Sequence, residues 1–301
     1  MCGIVGIFSK SPAISEHLGA HLARMLAQMS DRGPDSAGVA LYRDSVTPGT
    51  SRLSLYAPNS DVDWEEIRVR LSETLGVEHV SVSGDHAVFV VYVDAAKAEA
   101  WVAANLPHVH LMSAGHSIEI YKAVIPPTEF APRFQLERMS GTHALGHTRM
   151  ATESRVTTAG SHPFSTGMDL CLVHNGSLSN HNRLRRTLQR EGMVFRTEND
   201  SEVAAGYVTW RLREGATLEE ALEGCLSDLD GFYTFAVGTA DGFAVLRDPI
   251  ACKPAVMAET DEWVAMASEY RAIAVLSGAE DAEVWEPAPG HVYSWGHAVT
   301  V

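Results

Sequence analysis

The chain opens Met1-Cys2-Gly3-Ile4-Val5-Gly6-Ile7-Phe8. This apolar, glycine-punctuated run reads as a buried strand that begins almost at the terminus, so the fold must accept its own first residues as core. Ile14, Leu18, Leu22, Met25, Leu26 and Met29 follow at helical spacing and predict an amphipathic helix. Asp31-Arg32-Gly33-Pro34-Asp35 breaks it, because Gly and Pro stop a helix and force a turn. Residues 37–41 predict a second strand.

From about residue 51 to 124 the alternation of elements reads β-α-β-β-α-β, the order of a ferredoxin-like insert. The proline-rich 125–132 stretch reads as the linker leaving it. After residue 142 short strands dominate, with predicted helices over 201–213 and 218–226. Sheets with helices on their outer faces are the natural architecture for this mixture. A chain of 301 residues can bury one full core plus a smaller one.

Composition removes several function classes. With 23 Lys plus Arg against 38 Asp plus Glu, the net charge is −15, and such a surface repels phosphate backbones and anionic lipid. Neither nucleic-acid nor membrane partners are expected. Cys2, Cys171, Cys225 and Cys252 form no CxxC pair, which suggests neither a zinc knuckle nor a disulfide framework. Unpaired thiols fit a reducing compartment. The short apolar stretch at the start has no basic region before it and no later run approaches bilayer length, so a cytoplasmic location is expected.

A cysteine at position 2 permits removal of the initiator methionine, placing a thiol and a free α-amino group on one residue. Their reference pKa values, roughly 8.5 and 8, let the amine take the thiol proton near neutral pH. Cys2 can equally be a small buried residue of a first strand. Its companions decide the reading: RGPDS (32–36), GHTRMAT (146–152), HPF (162–164), VHNG (173–176), TENDSE (197–202) and RDPIACKP (247–254). With MCGIVGIF, this series resembles, in content and order, the class II (N-terminal nucleophile) glutamine amidotransferases. The resemblance covers about two-thirds of the chain. It implies an α+β, four-layer αββα sandwich formed by residues 2–50 and 133–301, with residues 51–132 as the inserted subdomain and linker.

The resemblance also implies site roles. Cys2 would attack the side-chain amide of glutamine, and the Asn175 amide with the Gly176 N–H would form the oxyanion hole. Asn-Gly is also a common hairpin turn, and His174-Asn175-Gly176 is expected to end a strand. Arg149 would clamp the substrate α-carboxylate, and Asp200 would receive its α-ammonium; Asp200 could otherwise be a helix cap. Arg32 would order the pocket or a loop over it, Thr152 would contribute backbone contacts, and Met150 would form part of the pocket wall. His147, His162 and His174 match no metal-ligand spacing and read as structural; neither metal nor cofactor is expected on this chain.

The sequence departs from several relatives in two places. Met150 stands for a flat aromatic and Glu153-Ser154 for a His-Gly pair, while Cys252 precedes Lys253-Pro254 in place of glycine. The glutaminase core plus the insert account for nearly all 301 residues, so the ammonia acceptor is expected on separate synthase subunits. In this respect the chain resembles the stand-alone amidotransferase subunit of glutamate-synthase-like systems, N-methylglutamate synthase among them, where FMN would sit on a partner subunit. Two other readings stay open: an independent γ-glutamyl amide amidohydrolase, and a non-catalytic regulatory or assembly subunit that keeps the fold.

Overall fold

The computed structural model describes residues 2–58, 62–150 and 156–296. The chain begins with β1 (Gly3–Ser9), α1 (Pro12–Glu16), α2 (Leu18–Ala27) and β2 (Ser36–Tyr42). The next stretch contains β3 (Ser51–Tyr56), α3 (Trp64–Thr74), β4 (Val77–Ser83), β5 (His86–Val91), α4 (Ala95–Asn105) and β6 (His110–Gly115). It is followed by β7 (Ile118–Ala123), α5 (Pro127–Phe134), β8 (His143–Arg149), β9 (Phe164–Gly167) and β10 (Leu170–Leu178). The C-terminal part runs α6 (His181–Arg190), α7 (Asp200–Arg213), α8 (Leu218–Asp228), β11 (Gly231–Thr239), β12 (Gly242–Arg247), β13 (Val256–Glu259), β14 (Trp263–Ala267), β15 (Glu283–Trp285) and β16 (Val292–Gly296).

Among the described residues these strands form three antiparallel sheets. The largest has the order β15-β13-β14-β1-β8-β2-β7, and the second β16-β12-β11-β10-β9. The first strand shows how its sequence builds the layers. Side chains of a strand alternate between faces, so Ile4 and Phe8 meet Val173, Phe243 and Val245 of the second sheet. Val5 and Ile7 point the other way, onto Leu18, Leu22 and Leu26 of α2. Outside the second sheet, Val203 and Tyr207 of α7 and Leu222 of α8 cover Leu172 and Phe235. The result is an α+β sandwich of four layers, helix-sheet-sheet-helix.

The third sheet, ordered β4-β5-β3-β6, belongs to the insert. Together with α3 and α4 it gives the β-α-β-β-α-β order of the ferredoxin-like motif, around a separate apolar core that includes Leu53, Phe89 and Leu71. The sequence-based boundary needs correction at its far end. Residues 118–123, read there as part of the insert, form β7, which pairs along its length with β2 of the largest sheet. Residues 125–132, read as a linker, lie mostly in α5 (Pro127–Phe134), whose Phe130 and Phe134 lie in the core beneath α2. An apolar strand carries no local mark of which sheet it joins, and two prolines at the start of a short helix resemble a linker. The junction is pinned by the buried Asp169, whose carboxylate accepts the N–H groups of His116 (2.7 Å), Ser117 (2.8 Å) and Ile118 (3.1 Å).

Candidate active site

Four chain segments converge where the two large sheets meet. The β1–β8 register runs from Phe8↔His143 to Gly3↔Thr148. Carried one residue further, it sets Cys2 against Arg149, the last residue of β8. Close packing holds this edge. A Cβ on Gly3 would come within 2.8 Å of Thr148 Oγ1, and one on Gly33 within 2.4 Å of the Thr148 backbone. These two glycines therefore let the N-terminal strand and the 32–36 turn approach β8. The Cys2 carbonyl accepts hydrogen bonds from Arg32 Nε (3.0 Å) and Asn175 Nδ2 (3.3 Å). Cys2 itself is partly exposed, whereas Ile4 and Val5 just behind it are fully buried.

Arg32 sits beside residue 2. Its guanidinium holds the residue 2 carbonyl, and its Nη1 pairs with Glu269 at 2.6 Å. Glu269 in turn meets Arg271 Nε at 2.8 Å. Arg32 thus anchors the N-terminal strand, and the cleft described below is lined by other residues. The sequence reading missed Glu269, whose pairing with Arg32 spans 237 positions.

Asn175 and Gly176 differ from expectation. They lie inside β10, which continues to Leu178, and pair with Thr234 and Tyr233 of β11; they do not end the strand at a hairpin turn. The glycine is required by space, because a Cβ there would sit 2.0 Å from the Phe232 carbonyl oxygen. The direction of its N–H follows from neighbouring bonds. The Tyr233 carbonyl is spent on the Asp248 N–H at 3.0 Å, away from β10. Two residues along, the Leu178 N–H leaves the sheet for Asp200 Oδ2 at 2.9 Å. Backbone groups two apart on a strand point the same way. The Gly176 N–H therefore faces away from β11, toward the side on which Asp200 lies.

Asp200 is the first residue of α7, but the cap is Asn199, whose side chain accepts the Ser201 N–H. This resolves the capping alternative in favour of the neighbour and leaves Asp200 for other work. Arg149 and Asp200 line the same open cleft of about 900 Å³, together with Ser177, His181, Arg196 and Asn199. The carbonyl of Gly160 joins its two sides, accepting Arg149 Nη1 (3.2 Å) and Asn199 Nδ2 (3.3 Å). Met150 follows Arg149 and is 37% exposed. Thr152 lies outside the described residues, as does Met1.

Behind the site, His147 and His162 stack at 3.9 Å between ring centroids, with His174 edge-on to His162. All three are buried. Burial holds them uncharged: His147 is pushed down to about 3, and His162 and His174 also lie below the ordinary imidazole value. Among the described residues no cluster of His, Cys, Asp and Glu could hold a metal ion, and no helix is long and apolar enough to cross a membrane.

Comparison with known proteins gives the family. Residues 147–275 match the glutamine amidotransferase domain family. Over 298 residues the chain is 53% identical to the glutamine amidotransferase-like protein GlxB of Rhizobium meliloti, covering 99% of each chain. It is 37% identical over 158 residues to amidophosphoribosyltransferase of Staphylococcus aureus, covering 51% of this chain and 31% of that one. In fold it is similar to the glutamine phosphoribosylpyrophosphate amidotransferase of B. subtilis, with a TM-score of 0.62 at 20% identity, over 100% of this chain and 50% of that one. By its similarity to GlxB along nearly its whole length, and by a fold shared with these enzymes, the chain belongs to the class II glutamine amidotransferases.

Proposed function

We propose that this chain is the glutaminase component of a system in which a separate synthase consumes the ammonia. The observation that carries the reading is the convergence of Arg149 and Asp200 on one cleft that Ser177 also lines, with the Cys2 carbonyl held by Asn175, two residues before Ser177 on β10. A cation and an anion facing one cavity suit the α-carboxylate and α-ammonium of an amino acid. With Met1 removed, the Cys2 thiol attacks the glutamine amide carbon while its proton passes to the α-amino group. Asn175 and the Gly176 N–H hold the oxyanion. The proton then goes to the departing nitrogen, the C–N bond breaks, and ammonia leaves a γ-glutamyl thioester. Water hydrolyses the thioester to glutamate and restores the thiol.

GlxB is an amidotransferase-like protein matched over 99% of its own length, whereas amidophosphoribosyltransferase is matched over 31% of its length, and this favours the GlxB-like arrangement for this region. A glutamate-synthase-like partner carrying FMN, as in N-methylglutamate synthase, is the acceptor we favour. Mass spectrometry of active protein tests the first step, since Met1 must be absent. A diazo-ketone analogue of glutamine should label Cys2 alone, and Cys2→Ala should abolish ammonia release while the protein keeps its melting temperature. Labelling elsewhere, or faster hydrolysis of another γ-glutamyl amide than of glutamine, would replace this reading with that of an independent amidohydrolase. Co-purification with a flavin-binding synthase tests the acceptor; a partner without flavin would exclude the synthase-like assignment.

A further inference from the structure

Ser201, the second residue of α7, is 1% exposed, and its hydroxyl is surrounded by three polar atoms. His162 Nε2 lies at 2.8 Å, His174 Nδ1 at 2.9 Å and Asp200 Oδ1 at 3.3 Å. A hydroxyl carries one hydrogen and two lone pairs, and a carboxylate can only accept. The hydrogen count closes in one way: the hydroxyl donates to Asp200, and both imidazoles donate to the hydroxyl. His162 is then the Nε2–H tautomer and His174 the Nδ1–H tautomer.

An independent observation agrees. The two ring atoms this assignment leaves without hydrogens, His162 Nδ1 and His174 Nε2, are the two that find no hydrogen-bond partner among the described residues. An additional proton on either ring would strand a buried N–H donor, which is costly. The third ring is consistent too, since His147 Nε2 is 3.1 Å from the His174 carbonyl and must donate to it. The other Asp200 oxygen takes the Leu178 N–H at 2.9 Å, so both carboxylate oxygens have an oriented donor.

We propose that Ser201 is a positioning residue that aims the Asp200 carboxylate at the substrate ammonium, gathering the N–H groups of His162 and His174 into one hydroxyl donor. The arrangement also ties the oxyanion strand to the substrate cleft, because His174 immediately precedes Asn175 on β10. Hydroxyl donation to a carboxylate strengthens when the hydroxyl is itself a double acceptor. The inference rests on the reading of Asp200 as the ammonium site given above.

A double-mutant cycle of Ser201→Ala and Asp200→Asn in the full chain, read as glutamine KM and kcat, tests it. Ser201→Ala should raise KM about 10-fold, the loss expected for one hydrogen bond to a charged group, with kcat within roughly 3-fold. In the Asp200→Asn background the same change should leave KM unaltered. A purely structural serine would lower the active fraction, and so kcat, in both backgrounds, with KM untouched. Additive effects, or an unchanged KM in Ser201→Ala, would overturn the proposal while leaving the role of Asp200 standing. An unchanged KM in Asp200→Asn would remove both. If Ser201→Ala does not fold, the near-isosteric weak donor of Ser201→Cys gives the same contrast, with labelling by the glutamine analogue counting competent sites.

Discussion

The insert and the catalytic edge of the sandwich are built on opposite terms. The insert closes around a core of Leu53, Leu71, Phe89 and other apolar side chains. Its α3 and α4 begin at Asp63 and Asp94, which cap their own backbones. The edge where β1 begins, β8 ends and β10 passes is polar below the surface, with His147, His162, His174, Thr148, Asn175 and Ser201 all buried. The helix-facing core of the insert is apolar throughout and asks of each side chain little more than shape. The catalytic edge depends on each hydrogen bond being made, because a buried polar group left alone costs more than a slight gap in apolar packing.

The two regions even use glycine differently, and the largest expected effect comes from that difference. Gly176→Ala would drive a Cβ to 2.0 Å from the Phe232 carbonyl. It should displace the strand carrying the proposed oxyanion donors and cost about 10³-fold in kcat, as loss of a preorganised donor does; ammonia release measured at saturating glutamine checks this. Phe89→Ala, at a fully buried site in the insert, should cost about 3–5 kcal/mol. Its melting transition, followed by hydrogen exchange, should fall for 51–115 while kcat changes little. A loss of kcat as large as that of Gly176→Ala would show the two regions to be one cooperative unit.

Acid should separate them next. His147 is held near 3 and His162 and His174 are lowered, all by burial first, against an ordinary value of 6.5. The charges facing them are Asp200, which opposes the lowering at His174, and Lys253, Lys122 and Arg149, which add to it. Below that ordinary value the unfolded chain takes up protons that the native histidines refuse. The stability they contribute is therefore complete above pH 6.5 and drains as pH falls toward about 3. β8 and β10 carry His147 and His174 and pack against His162, whereas β5 carries one buried histidine of the same kind, His86. Hydrogen-exchange protection of β8 and β10 should therefore decline more steeply in this window than that of β3 and β5, and an equal decline would contradict the contrast. The smallest effect belongs to Gly84, at the β4–β5 turn. Its φ of +60° favours glycine, while a Cβ there would meet only Arg133 Nη2 at 3.9 Å. Gly84→Ala should cost about 1 kcal/mol, with activity unchanged.

Much of the molecule is legible in the chain because short motifs carry it. The run from Cys2 to Phe8 shows its strand from period and composition alone, and the element order of the insert shows its topology. Asn175-Gly176 reads as a strand end because the dipeptide is a local turn signal, and the pairing with Thr234 and Tyr233 that overrides it lies far along the chain. Asn199 and Asp200 are both of the capping type, so their order alone does not say which of them caps α7; the Asn199 bond to the Ser201 N–H does. Ser201 carries no signal, since its imidazole partners lie 39 and 27 positions away.

By itself the sequence determined the family, the nucleophile candidate and the presence of a second small core, because these depend on residue types in short order and on local periodicity. Tertiary structure decided which sheet β7 joins, which glycine is needed for space, and how three histidines, a serine and a carboxylate share their hydrogens. Those outcomes depend on distances between atoms far apart along the chain, and a linear pattern holds no information on them until the two sheets close against each other.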